Sequence, residues 1–113
     1  MSARLTSALL VAALMRRAQS EGGNCILLHR GDESAGGLLL LALEKGRITG
    51  LCEPLLDTRG RYVLQSVGPQ DTDKTEEFDR YIEKRRRFDP DLWVIELDVP
   101  NAQRLAAEIV AGA

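Results

Sequence analysis

The chain has a single histidine, His29, and two cysteines, Cys25 and Cys52, with no CxxC spacing anywhere. Free buried thiols are therefore the default reading of the cysteines. Any Ser-His or Cys-His catalytic pair must use His29, so one substitution tests that whole class. Aromatics are scarce: one tryptophan, two tyrosines and two phenylalanines. The apolar run Ser7-Ala-Leu-Leu-Val-Ala-Ala-Leu-Met15 is well short of the ~20 residues that a membrane span needs. Arg16-Arg17 follow it directly, where a signal peptide would place a small-residue cleavage site. The run reads as a buried amphipathic helix, in a cytoplasmic protein with no membrane association.

What is present fits one domain spanning residues 1–113. A chain of this length buries roughly 65% of its unfolded surface in a single core and needs neither metal nor disulfide for stability. Hydrophobic residues make up 44% and charged residues 28%, near globular averages, and no internal repeat interrupts the chain. The net charge is only −2, but five basic residues between Arg80 and Arg87 face a single acid, Glu83. The remainder is correspondingly acidic, and the molecule is expected to be electrostatically polar.

Helical spacing of Leu10, Leu14 and Ala18 predicts a first helix over about 6–20, stopped by Gly22-Gly23. Asn24–His29 reads as a strand. The glycine-bearing stretch Gly31-Asp-Glu-Ser-Ala-Gly-Gly37 turns the chain. Leu38–Leu43, continuously apolar, predicts a central strand covered on both faces. Glu44-Lys45-Gly46 turns into a third strand over 47–53, ended by Pro54, and Arg61–Val67 is a fourth. Three short turns in succession predict a meander of antiparallel neighbours.

A second helix is expected to open at Asp73, with Glu76 completing a capping box, and to end before Pro90. Phe78, Tyr81 and Ile82 form its apolar face. Trp93, Ile95, Leu97 and Val99 then alternate with Leu92, Val94, Glu96 and Asp98, the pattern of a strand. Asn101 is placed as N-cap of a last helix carrying Leu105, Ala106, Ile109 and Val110. The fold class expected is α+β: a mostly antiparallel sheet of about five strands with helices packed on one face, in the order α-β-β-β-β-α-β-α.

Most motifs fail on physical grounds. Gly31 and Gly36 have P-loop spacing, but Gly37 and Leu38 stand where the phosphate-binding lysine and the magnesium-binding hydroxyl belong. Asp32-Glu-Ser34-Ala-Gly36 is half of a nucleophile elbow, with Asp32 in place of glycine. Cys25 and His29, four residues apart on one strand, are separated by roughly 13 Å, too far for a shared zinc. In a meander the strands of Cys25 and Cys52 lie roughly 9.6 Å apart, beyond disulfide reach. Glu96 with Asp98, and Asp89 with Asp91, read as a solvated strand end and a turn. No cofactor or metal is expected.

The best candidate surface is Arg80, Lys84, Arg85, Arg86 and Arg87, with Phe78, Tyr81, Phe88 and Trp93 within or beside it. Basic residues interleaved with stacking rings suit single-stranded nucleic acid. The competing reading, which is favoured, has arginines complementing the dipole of a helix end and rings buried on apolar faces.

Three segments carry a resemblance: Leu14-Met-Arg-Arg-Ala18, Gly31-Asp-Glu-Ser-Ala-Gly36, and above all Tyr81-Ile-Glu-Lys-Arg-Arg-Arg-Phe-Asp-Pro-Asp-Leu-Trp-Val-Ile-Glu96. Together they resemble the domain of unknown function 1491, a family of small uncharacterised alphaproteobacterial proteins. The resemblance implies fold and a bacterial cytoplasm, and no chemistry. The functional expectation is a non-enzymatic binding or protein-interaction module with a protein partner or a second copy of itself. Nucleic-acid binding through Arg80–Arg87 is the alternative, and a small hydrolase using His29 with Asp32 or Glu33 stands behind both.

Overall fold

Lys45 and Gly46 both adopt left-handed backbone conformations, with φ of 51° and 80°. They form the two-residue turn between Glu44 and Arg47, which are directly paired. Positive φ at both central positions matches the right-handed twist of the flanking strands, and this is why a two-residue hairpin forms here. In the computed structural model, which describes residues 6–69 and 72–112, these strands belong to a longer series. It runs α1 (Ser7–Ser20), β1 (Asn24–His29), β2 (Leu38–Glu44), β3 (Arg47–Leu56), β4 (Tyr62–Ser66), α2 (Thr75–Phe88), β5 (Trp93–Asp98) and α3 (Ala102–Ala111). The α+β class and the order of elements are those the sequence pattern predicts.

The sheet order is β1-β5-β2-β3-β4, which corrects the expected meander. β5 inserts between β1 and β2, antiparallel to the first and parallel to the second. The reason lies in burial. Leu92 to Ile95 and Leu97 are all buried, and so is every residue from Leu38 to Leu43. Two strands apolar on both faces are most stable side by side at the centre. The eight residues between β1 and β2 bridge the gap by passing over the start of β5. There Asp32 N donates to Asp91 O at 3.0 Å and Trp93 N to Gly37 O at 2.8 Å. A Cβ on Gly31 or Gly36 would lie 2.2 Å from Asp91 O, so only glycine allows this approach.

The helices divide between the two faces, where the sequence suggested one. α1 and α3 cover Leu38, Leu40, Ala42, Cys52, Trp93, Ile95, Leu97 and Val99. α2 covers the other face, with Phe78 packed on Leu39, Leu41, Leu43, Leu51, Leu92 and Val94. Central strands with two apolar faces need a cover on each, and α2 supplies the second. Its start also differs: the N-cap is Lys74 without a side-chain cap, while Asp73 reaches Arg47 at 3.5 Å. Asn101 precedes α3 in a left-handed conformation, φ 54°, and its side chain caps nothing. β3 runs through Pro54, because beyond Cys52 it pairs only with β4 and one edge needs no donor.

Candidate functional site

The basic run is built on the last two turns of α2. Arg80, Lys84, Arg86 and Arg87 are exposed, and Arg85 is half-buried. Arg85 donates to Glu53 of β3 at 2.7 and 3.3 Å and to the Tyr81 hydroxyl at 3.2 Å. The hydrogen bond to Glu53 holds the Arg85 guanidinium above its ordinary pKa, against the opposing effect of partial burial. Arg85 is thus a fastening between helix and sheet, and the exposed basic surface shrinks to four residues. Arg87 lies 3.7 Å from Glu83.

The expected interleaving with rings does not form. Trp93 is 2% exposed and sits on the opposite face of the sheet from α2. Its indole N–H donates to Asp32 O at 2.6 Å, and the cation over its ring, at 5.3 Å, is Arg30. Tyr81 packs under α2. Phe88 alone is freely presented, 81% exposed beside Arg86 and Arg87.

A different feature emerges on the same side of the sheet. One helix covers this face of a five-stranded sheet, and it leaves a hollow of about 650 Å³ floored by Leu28, Leu41 and Leu43 and walled by Phe78 and Ile82. Lys45, Arg47, Asp73, Asp79 and Glu96 supply its polar rim. A second hollow of about 290 Å³ shares Leu28, Asp79 and Ile82 with it and adds His29, Glu83 and Arg86. Leu28 of β1, an edge strand among the described residues, lines both, and Ile26 and Leu28 are each 47% exposed. Leu27, 38% exposed, points to the other face opposite Ile95.

The residues tested for catalysis are dispersed. A bulge after Leu27 sets His29 opposite Val94, whereas Cys25 is opposite Leu97. His29 therefore lies on the α2 face and Cys25 on the α1 face, a correction to the same-face placement that a regular strand predicts. Asp32 accepts the amides of Ser34 and Ala35 at 3.2 and 3.0 Å, so its carboxylate shapes its own loop. Glu33 and Ser34 offer their carbonyls to the first amides of α1. The acids that share a hollow with His29 are Asp79 and Glu83 instead. Asp98 accepts Lys45 N and Gly46 N, and Asp89 accepts Asp91 N, so these carboxylates serve turns. Burial pushes the Cys25 thiol up to about 11 and the Cys52 thiol up to about 12, with Glu53 adding to the second. Both cysteines are free. Among the described residues no helix is long and apolar enough to cross a membrane.

A family model described as "Protein of unknown function (DUF1491)" matches residues 5–107. The chain belongs to this family. Three solved structures share its fold. A DUF1491 family protein from Caulobacter crescentus CB15, known by crystallography, is 28% identical with a TM-score of 0.77, over 90% of this chain and 94% of that one. A DUF1491 family protein from the same organism, solved by NMR, is 27% identical with a TM-score of 0.75, over 92% and 94%. Protein Atu0922 from A. tumefaciens, solved in solution, is 29% identical with a TM-score of 0.72, over 88% and 89%. No curated protein matches the chain. Family membership thus fixes the fold and leaves the activity open.

Sequence reading missed the hollow and the exposed side of β1. The available signal was composition: Asn24–His29 carries no charged or proline residue, the devices that usually protect an edge. Strand periodicity assigns faces, and it does not say which strand ends up at the margin.

Proposed function

We propose that this protein is a non-enzymatic interaction module of the cytoplasm, binding protein through the β1 edge and the adjoining hollow beneath α2. The observation that carries the reading is the exposure of Leu28, 47%, in the lining of an apolar-floored hollow, with Ile26 equally exposed on the same strand. An extended partner segment adds main-chain hydrogen bonds along such an edge and places alternate side chains over the neighbouring face. Two unpaired thiols held neutral by burial fit a reducing compartment.

The test is a selection of displayed random peptides on the immobilised protein, with Leu28→Asp as the counter-target. Sequences of alternating apolar residues that bind the wild type and not the variant support the reading. Recovery only of peptides that bind both equally overturns it.

A second reading is nucleic-acid binding through Arg80, Lys84, Arg86 and Arg87. It is favoured by one observation, the exposed Phe88 ring beside Arg86 and Arg87. Such a site gives a salt-dependent oligonucleotide mobility shift that is lost when Lys84, Arg86 and Arg87 all become serine. A shift that survives this triple replacement removes the basic surface from consideration.

A further inference from the structure

The partner that β1 fits is a second copy of itself. We infer that two chains associate through antiparallel pairing of their β1 strands about a two-fold axis, joining the sheets into one. This deepens the interaction-module reading and rests on it.

Three observations carry the inference. First, among the described residues β1 is an edge, hydrogen-bonded to β5 on one side only. Second, the strand Asn24-Cys-Ile-Leu-Leu-His29 has no formally charged side chain, so facing itself it meets no like-charge repulsion. Third, the exposed side chains are self-complementary. With Leu27 on the axis, Leu27 meets its symmetry mate and each Ile26 meets the partner copy's Leu28. With Ile26 on the axis, Ile26 meets its mate and Cys25 meets Leu27. In either register Ile26 and Leu27, 47% and 38% exposed, are covered.

The opposite edge strand, β4, is also uncharged, but it is flanked differently. α3 packs against β4, and Arg59 and Arg61 lie just before the strand begins. The bulge after Leu27 confines the regular run of β1 to its first four residues, Asn24–Leu27. A ladder of that length buries less than the roughly 1,200 Å² of a standard interface, so the association is transient and rises with concentration.

Sedimentation velocity on the full chain from micromolar to near-millimolar concentration reads the outcome. The expected result is a mass moving from 12.5 kDa toward twice that value. Ile26→Lys, at an exposed position, raises the dissociation constant by about tenfold or more. Leu55→Lys, equally exposed on β3, leaves it unchanged. A second readout is geometric: with Cys25 and Cys52 replaced by serine, a cysteine at position 26 or 27 cross-links to its mate under mild oxidation, because directly opposed strand residues lie within disulfide reach. A cysteine at position 55 does not.

A monomer at every concentration overturns the dimer, and Leu28-dependent peptides would then still support the module. Association that ignores Ile26→Lys and gives no cross-link at 26 or 27 overturns β1 as the contact. Loss of both association and peptide binding removes the module reading as well.

Discussion

Arg85 grips Glu53 across the gap between α2 and β3, with Nη2 2.7 Å from Oε2 and Nη1 3.3 Å from Oε1. The side chains are 30% and 23% exposed, so the pair is neither a free surface contact nor a buried one. Two parallel hydrogen bonds give the guanidinium a directional hold that a lysine lacks. In a run of four consecutive basic residues, Lys84 to Arg87, this one is committed to the fold.

Replacing Arg85 by alanine should therefore lower stability by about 1 to 2 kcal/mol, allowing for solvent screening of a partly exposed pair. Serine at Lys84 or Arg86 should change it by no more than about 0.5 kcal/mol. Urea unfolding of the variants makes the comparison. Equal effects at positions 84 and 85 would show that the ion pair does not fasten α2 to the sheet.

Asp98 makes a second cross-link of this kind, from the end of β5 to the hairpin turn. Its two oxygens accept Lys45 N at 2.9 Å and Gly46 N at 2.8 Å. Lys45 holds a left-handed conformation that costs a non-glycine residue roughly 1 kcal/mol or more. The carboxylate offsets that strain through charge-assisted bonds. Asp98→Ala should cost about 1 to 3 kcal/mol, and amide exchange should quicken first at Lys45 and Gly46. Unchanged protection at these two amides would separate the carboxylate from the turn's stability.

The legible parts of this fold are those written in local chemistry. The short hairpin turn expected at Glu44-Lys45-Gly46, the doubly apolar Leu38–Leu43 and the alternation from Leu92 to Asp98 each follow from short-range rules, and all three hold. What failed depends on which element lies beside which. Periodicity places Trp93 and Val94 on opposite faces, but does not reveal that their strand enters between β1 and β2. The length of the connection is the overlooked clue, because eight residues exceed what a simple hairpin uses. A single bulge at Leu28 is invisible to pattern and moves His29 to the other face. The basic run was legible as a helix end. Only the tertiary position of Glu53 could remove Arg85 from it.

The glycines of the loop 31–37 test the crossing directly. Alanine at Gly31 would place its Cβ 2.2 Å from Asp91 O and 2.6 Å from the Trp93 ring. Neither neighbour gives way easily, since one is backbone and the other a buried indole that donates to Asp32 O. The expected cost is about 2 to 4 kcal/mol. Trp93, the sole tryptophan, reports it as a red shift of emission and a lowered unfolding midpoint. Gly46→Ala, with open space around the new methyl but φ of 80°, should cost only backbone strain of about 1 to 2 kcal/mol. Equal losses at the two positions would argue against close packing of the loop on β5.

Thiol chemistry supplies a prediction with a defined sign in pH. Burial raises Cys25 to about 11 and Cys52 to about 12, while an unfolded cysteine ionises near pH 8.5. The thiolate is the nucleophile, so at pH 8 both react with an aromatic disulfide reagent at least about a hundredfold more slowly than a free thiol. Cys25, half-buried, leads Cys52, which is 1% exposed with its sulfur 3.6 Å from Leu40 O. Because the folded values lie above the unfolded one, the stabilising contribution is complete below about pH 8.5. It declines as pH rises through the interval toward 11 and 12. Replacing Cys52 by alanine should flatten that alkaline decline in a urea-unfolding series at pH 8, 9 and 10. If both thiols titrated fully with reagent at pH 8 under native conditions, at the rate of the urea-unfolded chain, the packing of Cys52 against β2 would be wrong.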